Sequence, residues 1–350
     1  MILFDCEKLR NPFNGFHTYT LHLAEALLSE SARREEKLGL YIPRAQSSLF
    51  PAGTPMRYWH HLDKYWMWLR RDVRIFHAST QLTRYTPRSW RLPVLSTVHD
   101  LNFLHLDFPE KVREGLRRRT EEAIRNATHI AAISQYTRND ILARYDVPEE
   151  KITVIYNGAS PYRGPVLAPE TPPGRPFLLY LGRVTDSKNI HVLPALLQGN
   201  DYDLIVAGPT DRIDREGPLI RKEAARWGVS DRVHFTGALD DAHKAWYLSH
   251  CEAFLFPSLA EGFGLPVLEA LHYGKPVFSS GRSSLPEVGG DCVFYFNAEF
   301  DPEGMQREVA AGMEAFRNGA VPPEKIAAHL SRFTWENAAR RYYDLYESLS

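Results

Sequence analysis

Short apolar strands alternate with helical stretches along this chain, a proline-rich segment interrupts them, and the alternation then starts again. In the first half, Ile2–Asp5, Ile75–Ala78, Val94–Val98, 129–133 and 152–156 predict strands. Residues 16–28 predict a helix with Leu21, Ala24, Leu27 and Leu28 on one face, 109–126 a long polar helix, and 135–145 a helix capped by Ser134. Segment 161–176 has five prolines in its first thirteen residues and two glycines in its sixteen, which leaves no room for a regular element. Beyond it, Phe177–Leu181, 203–206, 233–235, Ala253–Phe256 and 276–279 predict strands with helices between them. Helices at 302–316, Pro323–Leu330 and 335–349 close the chain. Alternation of this kind builds a parallel sheet flanked by helices. The expected fold class is therefore α/β, with two Rossmann-like domains at 1–162 and 177–334 and a linker at 163–176. Ligands of such sheets bind beyond the carboxyl ends of the strands, so two domains facing each other place the cleft between them.

Composition narrows the class. At 350 residues the chain has room for about two ordinary domains. Hydrophobic residues make up 44% and charged residues 24%, which sets aside disorder, collagen and disulfide scaffolds. Cys6, Cys251 and Cys292 are far apart and odd in number, so buried thiols in a reducing compartment are expected rather than a metal site. No apolar run approaches the roughly 18–20 residues of a membrane span. The first residues reach an acid at Asp5 with no basic or long apolar leader, so no signal peptide is expected there. Cytoplasmic location is the expectation. The net charge of −1 hides an asymmetry. Residues 1–165 hold 24 Lys and Arg against 18 Asp and Glu, while residues 166–350 hold 18 against 25. A basic half suits phosphates or an anionic membrane surface at the inner face of the cytoplasmic membrane.

Three constellations carry chemistry. In the first, a strand ends at Phe256, a loop holds Glu261-Gly262-Phe263-Gly264-Leu265, and Pro266 opens a helix that carries Glu269. Amides at a helix start suit an anion, and a carboxylate can accept two hydrogen bonds from a diol. Amides for phosphates and acids for hydroxyls describe a nucleotide-sugar site; a solvated loop acid and a salt-bridged helix acid are the alternative. In the second, Leu181-Gly182-Arg183 leads to Lys188 with four residues between the two cations. Both can reach one diphosphate, the arginine bidentately and the lysine as a point charge. An ordinary solvated turn is the alternative. In the third, His99-Asp100 follows a strand, where α/β ligands bind; a histidine hydrogen-bonded in the core is the alternative. The loop after the first strand has one glycine, Gly15, and no GxGxxG, so a nicotinamide dinucleotide is poorly supported.

Taken together these elements resemble the retaining GT-B glycosyltransferases of the large family numbered four. The likeness rests on Glu261…Glu269, Arg183…Lys188 and His99-Asp100, together with Ile133-Ser-Gln-Tyr-Thr, Val154-Ile-Tyr-Asn157-Gly158, Ala207-Gly208-Pro209, Phe235-Thr-Gly237 and Leu285-Pro-Glu287-Val. They run in the family's order over nearly the whole chain. The resemblance implies that Arg183 and Lys188 bind the donor diphosphate and Glu269 the ribose hydroxyls. It implies that Glu261, with the Gly262–Leu265 amides, holds the donor sugar, and that His99 sits beside it. Gly15 lets the first loop approach the phosphates, although the second glycine usual in that loop is missing here. The last helix, within 335–350, is expected to return to the N-terminal domain.

The same resemblance implies a hexosyltransferase with no cofactor and no metal. Asp240-Asp241, the one adjacent acid pair that could mimic a metal-binding motif, heads a helix, where capping explains it. The donor expected is a GDP- or UDP-linked sugar, GDP-mannose first, and the acceptor a lipid-linked or saccharide glycan of surface polysaccharide or lipopolysaccharide. Residues 57–71, with five aromatics from Tyr58 to Trp68, and the cation-rich 111–119 suit a bilayer interface or an aglycone phosphate. A buried aromatic cluster beside a solvated basic helix is the alternative. No nucleic-acid motif accompanies them. A nucleotide-sugar epimerase of the same fold and a non-catalytic glycan- or nucleotide-binding subunit are the competing functions.

Overall fold

The computed structural model describes every residue except 12–14, 61, 63–64, 66–71, 85–91, 210–212 and 350, and only the backbone of 213–216. Elements are numbered among the described residues. The chain forms two compact units, Met1–Gly158 with Phe333–Ser350, and Ala159–Arg332. Residues 163–176 belong to the second unit and contain no helix or strand, as their proline content requires.

The first unit is built on seven strands: β1 (Ile2–Asp5), β2 (Leu38–Ile42), β3 (Met56–Tyr58), β4 (Ile75–Ala78), β5 (Val94–Val98), β6 (His129–Ala132) and β7 (Ile152–Val154). They lie in the order β3-β2-β1-β4-β5-β6-β7, with every pair parallel. Ile2 sits opposite Leu38 on one side and Ile75 on the other. Strands β1, β2, β4 and β5 are buried along their whole length, as a sheet covered on both faces demands. Helices α1 (Gly15–Arg33), α2 (Glu110–Asn126) and α3 (Gln135–Arg144) connect them. Ser134 caps α3 by accepting a hydrogen bond from the Thr137 amide. Strands β2 and β3 are additions to the strands that the residue pattern predicts.

The chain's last helix, α10 (Trp335–Ser348), belongs to this same unit and packs on α1. Its cap is Thr334, and its buried face carries Trp335, Tyr342, Tyr343 and Tyr346. Arg34 at the end of α1 pairs with Asp344 and Glu347, each at 2.7 Å. Gly158 is required where the chain leaves the unit, because a Cβ there would lie 2.2 Å from the Trp335 amide nitrogen. Beneath α10 runs a buried hydrogen-bond network. His77 Nδ1 meets the Tyr346 hydroxyl at 2.6 Å and Nε2 meets Thr97 Oγ1 at 2.8 Å. Tyr342 lies 3.2 Å from Thr97 Oγ1 and 3.1 Å from the Tyr19 hydroxyl.

The second unit has six parallel strands: β8 (Phe177–Leu181), β9 (Asp203–Ala207), β10 (Val233–Gly237), β11 (Ala253–Phe256), β12 (Val277–Ser280) and β13 (Phe294–Phe296). Their order is β10-β9-β8-β11-β12-β13. The helices are α4 (Ile213–Arg226), α5 (Asp241–His250), α6 (Leu265–His272), α7 (Leu285–Gly289), α8 (Pro302–Arg317) and α9 (Pro323–Leu330). The three cysteines are buried and unpaired. No described helix is long and apolar enough to cross a membrane.

Candidate active site

In both units the polar residues singled out by the sequence collect just beyond the carboxyl ends of central strands. In the second unit β8 and β11 are neighbours, so the loops that follow them are neighbours too. The β8 loop turns at Gly182 (φ +152°), passes Arg183, and forms a single 3-10 turn at Asp186–Lys188. Gly182 and Gly208 approach so closely that a Cβ on Gly208 would lie 1.9 Å from the Gly182 carbonyl oxygen. That contact accounts for the glycine in Ala207-Gly208-Pro209. The Leu259 amide donates to the Ser187 carbonyl at 2.8 Å and ties the β11 loop to the β8 loop.

This tie brings two predicted residues together. Lys188 Nζ lies 2.5 Å from Glu261 Oε1 and 5.8 Å from the centre of the Phe256 ring. Arg183 is exposed, and its guanidinium forms no ion pair among the described residues. The cation that the resemblance gives to the diphosphate and the acid that it gives to the sugar thus form an ion pair with each other. The helix beyond the loop begins at Leu265, one residue before Pro266, with Gly264 (φ +101°) as its cap residue. Glycine is needed at 264 both for that backbone angle and because a Cβ would strike Leu285 Cδ2 at 2.5 Å. Gly262 and Phe263 are buried in the same loop. In the first turn of α6 Pro266 carries no N–H and the Val267 amide donates to the Gly264 carbonyl at 3.0 Å, so the Gly264 and Leu265 amides at the helix start are the groups an anion can use.

Glu269, one turn into α6, is paired with a residue the sequence reading did not include. Lys244 Nζ on α5 stands 3.3 Å from Glu269 Oε1 and 3.2 Å from Asp241 Oδ1. Glu269 and then Asp241 raise the Lys244 ammonium above its ordinary range against the pull of burial. Both acids of the pair at 240–241 have partners on or beside α5. Asp240 caps α5 by accepting from the His243 amide at 2.8 Å, and Asp241 binds Lys244.

In the first unit, His99 follows β5 and is only 6% exposed. Its ring stands edge-on to Phe16 at 4.8 Å and to Tyr19 at 4.4 Å. Nε2 faces the Ser79 carbonyl at 2.8 Å, which requires that nitrogen to carry the proton and leaves Nδ1 as an acceptor. Burial pushes the imidazole down to about 4, so it is neutral at pH 7. Gln81 brackets the residue pair His99-Asp100: its Oε1 accepts from the His99 amide at 3.2 Å and its Nε2 donates to the Asp100 carbonyl at 2.9 Å. Asp100 Oδ1 accepts from the Asn102 amide at 3.0 Å. Gly15 opens α1, and a Cβ there would meet none of the described residues within 4 Å. Residues 12–14 of the same loop lie outside the described residues.

The basic and aromatic segments are divided. Arg117 on α2 bridges Glu114 and Glu121, whereas Lys111 and Arg118 are exposed and form no ion pair among the described residues. Tyr58 is exposed beneath Arg44 at 4.9 Å, and Trp59 lies 5.3 Å from Arg10. Lys64, Trp66, Trp68, Arg70 and Arg71 lie outside the described residues.

Two all-parallel α/β units with polar loops at the carboxyl ends of β5, β8 and β11 define a class of two-domain, ligand-binding α/β protein. Comparison with known proteins is more specific. The model described as Glycosyltransferase Family 4 matches residues 13–163, and the model described as Glycosyl transferases group 1 matches residues 168–315. O-antigen chain mannosyltransferase B of Escherichia coli is 24% identical over 99% of this chain and 100% of its own. O-antigen chain mannosyltransferase RfbU of Salmonella typhimurium is 27% identical over 79% of this chain and 76% of its own. The solved structure of Anabaena HepE in complex with UDP and glucose superposes with a TM-score of 0.73 at 19% identity, covering 99% of both chains. The chain belongs to the family-4 type of glycosyltransferases and has the two-domain GT-B fold.

Proposed function

We propose that the chain is a retaining, metal-independent hexosyltransferase that moves mannose from GDP-mannose to a lipid-linked or saccharide acceptor in surface polysaccharide synthesis. The observation that carries this reading is the joined β8 and β11 loops, which place Lys188 against Glu261 beside exposed Arg183 and the first turn of α6. The mannose preference is drawn from the two O-antigen mannosyltransferases that align over most of the chain.

In this reading Arg183, Lys188 and the Gly264 and Leu265 amides neutralise the diphosphate, and they matter most as charge builds on it in the transition state. Glu269, oriented by Lys244, accepts hydrogen bonds from the ribose hydroxyls. Diphosphate binding draws Lys188 from Glu261 and frees that carboxylate for the sugar hydroxyls. His99, neutral and held by Ser79 and Gln81, contributes an uncharged Nδ1 acceptor. Attack from the face the leaving group departs, with the phosphate taking the acceptor proton, gives retention. The exposed Lys111 and Arg118 of α2 favour an anionic acceptor or membrane surface.

The test is release of free nucleoside diphosphate from GDP-mannose, UDP-glucose and UDP-galactose by the purified chain, in the presence of glycan acceptors and EDTA. Turnover is expected, fastest with GDP-mannose. Loss of all turnover in EDTA, restored by Mg²⁺, would overturn metal independence, and preference for a UDP-sugar would overturn the donor. Conversion of the sugar with no nucleotide released would mark an epimerase.

A further inference from the structure

The turn after β12 presents an unusual backbone beside the Glu261 loop. Ser283 has φ +52°, in the left-handed region that a non-glycine residue occupies only when its surroundings hold it there. Its hydroxyl has two engagements. Ser283 Oγ donates to the Arg282 carbonyl at 2.8 Å and accepts from the Glu261 amide at 2.9 Å. The next residue, Ser284, is fully buried, and its Oγ lies 2.9 Å from the Glu261 carbonyl and 3.1 Å from the Phe263 carbonyl. Its single proton serves those two oxygens. Leu285 then occupies the space a side chain on Gly264 would need. Three consecutive residues thus brace the loop 261–264, and two of them do so by hydrogen bonds to its main chain.

We infer that Ser283 and Ser284 are positioning residues for Glu261: they fix both peptide groups of that residue so that its carboxylate, once Lys188 leaves it, already stands where the donor sugar will be. The inference rests on the reading of Glu261 as the sugar-binding acid. The physical reason is that Glu261 exchanges its side-chain partner when donor binds, so the side chain cannot define its own position through Lys188. Main-chain hydrogen bonds that survive the exchange can. The strained φ at Ser283 fits the same purpose, since backbone strain is retained where it fixes a functional geometry. A misplacement of about 1 Å at a reacting centre can cost on the order of 100-fold in rate. The hydrogen bonds of the two serines go to residues 261, 263 and 282, and none goes to Glu269 among the described residues. Their removal should therefore reach the sugar step and spare the nucleotide.

The experiment uses the full chain as wild type and as Ser284→Ala, Ser284→Thr, Ser283→Ala and Ser283→Gly. Three quantities are measured: melting temperature, GDP and UDP affinity by calorimetry, and kcat and KM with GDP-mannose and UDP-glucose. Ser284→Ala is expected to lower kcat at least tenfold while its nucleoside diphosphate affinity stays within twofold of wild type. Ser284→Thr, which keeps the hydroxyl, is expected to recover kcat to within threefold. Ser283→Gly relieves the left-handed backbone but removes the acceptor, so it should lose kcat as Ser283→Ala does while melting no lower than that variant. Equal losses of kcat and diphosphate affinity, or a kcat that follows melting temperature across the four variants, would assign the serines to the fold alone and overturn the inference. A wild-type chain that turns over donor and a Ser284→Ala chain that matches it would overturn the inference and leave the donor site standing. A wild-type chain that binds neither GDP nor UDP would overturn the donor site and the inference with it.

Discussion

Acidification is expected to weaken the first unit through His77, and the size of the effect follows from its surroundings. The ring is 0% exposed, between the Tyr346 hydroxyl on Nδ1 and Thr97 Oγ1 on Nε2, with Phe4 and Tyr342 against its faces and edges. Burial, with a smaller contribution from His99, pushes the imidazole down to about 3. An unfolded histidine titrates near 6.5. Between those values the unfolded chain binds a proton that the folded chain refuses, so stability falls as pH drops through 6.5 and is fully retained above it. Integrated from pH 7 to pH 5, this one group contributes about 2 kcal/mol of lost stability. Asp5 acts with the opposite sign. Burial and Glu7 push its carboxyl up to about 7, so it contributes stability that is lost as pH rises. The comparison is therefore made between the wild type and His77→Gln, which keeps amide partners for Tyr346 and Thr97 but does not titrate. Urea unfolding at pH 7 and pH 5, followed by far-UV circular dichroism, should show the wild type losing about 2 kcal/mol more than the variant. Equal losses in both proteins would refute the burial argument for His77.

Other expectations concern the donor site and the return of α10. Arg183→Ala and Lys188→Ala should each lower turnover at least tenfold with unchanged melting; near-normal activity in either would remove its role at the diphosphate. Glu269→Ala should raise donor KM more than it lowers kcat, because ribose is bound alike in ground and transition states. Glu261→Gln should lower kcat yet bind free GDP at least as tightly as wild type, because Lys188 no longer has a carboxylate to leave; calorimetry giving weaker binding would contradict the Lys188–Glu261 exchange. Tyr346→Phe should cost about 1–3 kcal/mol by leaving a buried His77 nitrogen unpaired, and a neutral result in urea unfolding would show the network to be dispensable.

The residue pattern carried the architecture because both sheets are parallel and buried, so their central strands appear as short apolar runs such as Phe177–Leu181 and Ala253–Phe256. The strands the reading did not contain are of two kinds. Met56–Tyr58 and Phe294–Phe296 are three-residue edge strands, too short for a periodic signal. Leu38–Ile42 is central, but Gly39 interrupts its apolar run. Local chemistry was legible where it depends on neighbours in sequence, as with the Ser134 cap and the Asp240 cap. Lys244 on α5 beside Glu269 on α6, and Ser283 and Ser284 beside Glu261 in its loop, are pairs 22 to 25 residues apart in sequence that only the packing of separate elements brings together. No spacing rule within one element announces such pairs. His99 was visible by its place after a strand, but its neutrality comes from burial beside Phe16 and Tyr19, which only the packing reveals.

The most direct measurement of the donor site is a crystal structure of the chain soaked with GDP-mannose. The account predicts the diphosphate within hydrogen-bond distance of Arg183, Lys188 and the Gly264 and Leu265 amides, the ribose hydroxyls on Glu269, the sugar on Glu261, and Lys188 withdrawn from Glu261. A nucleotide bound elsewhere, or bound here with the Lys188–Glu261 pair intact, would contradict it.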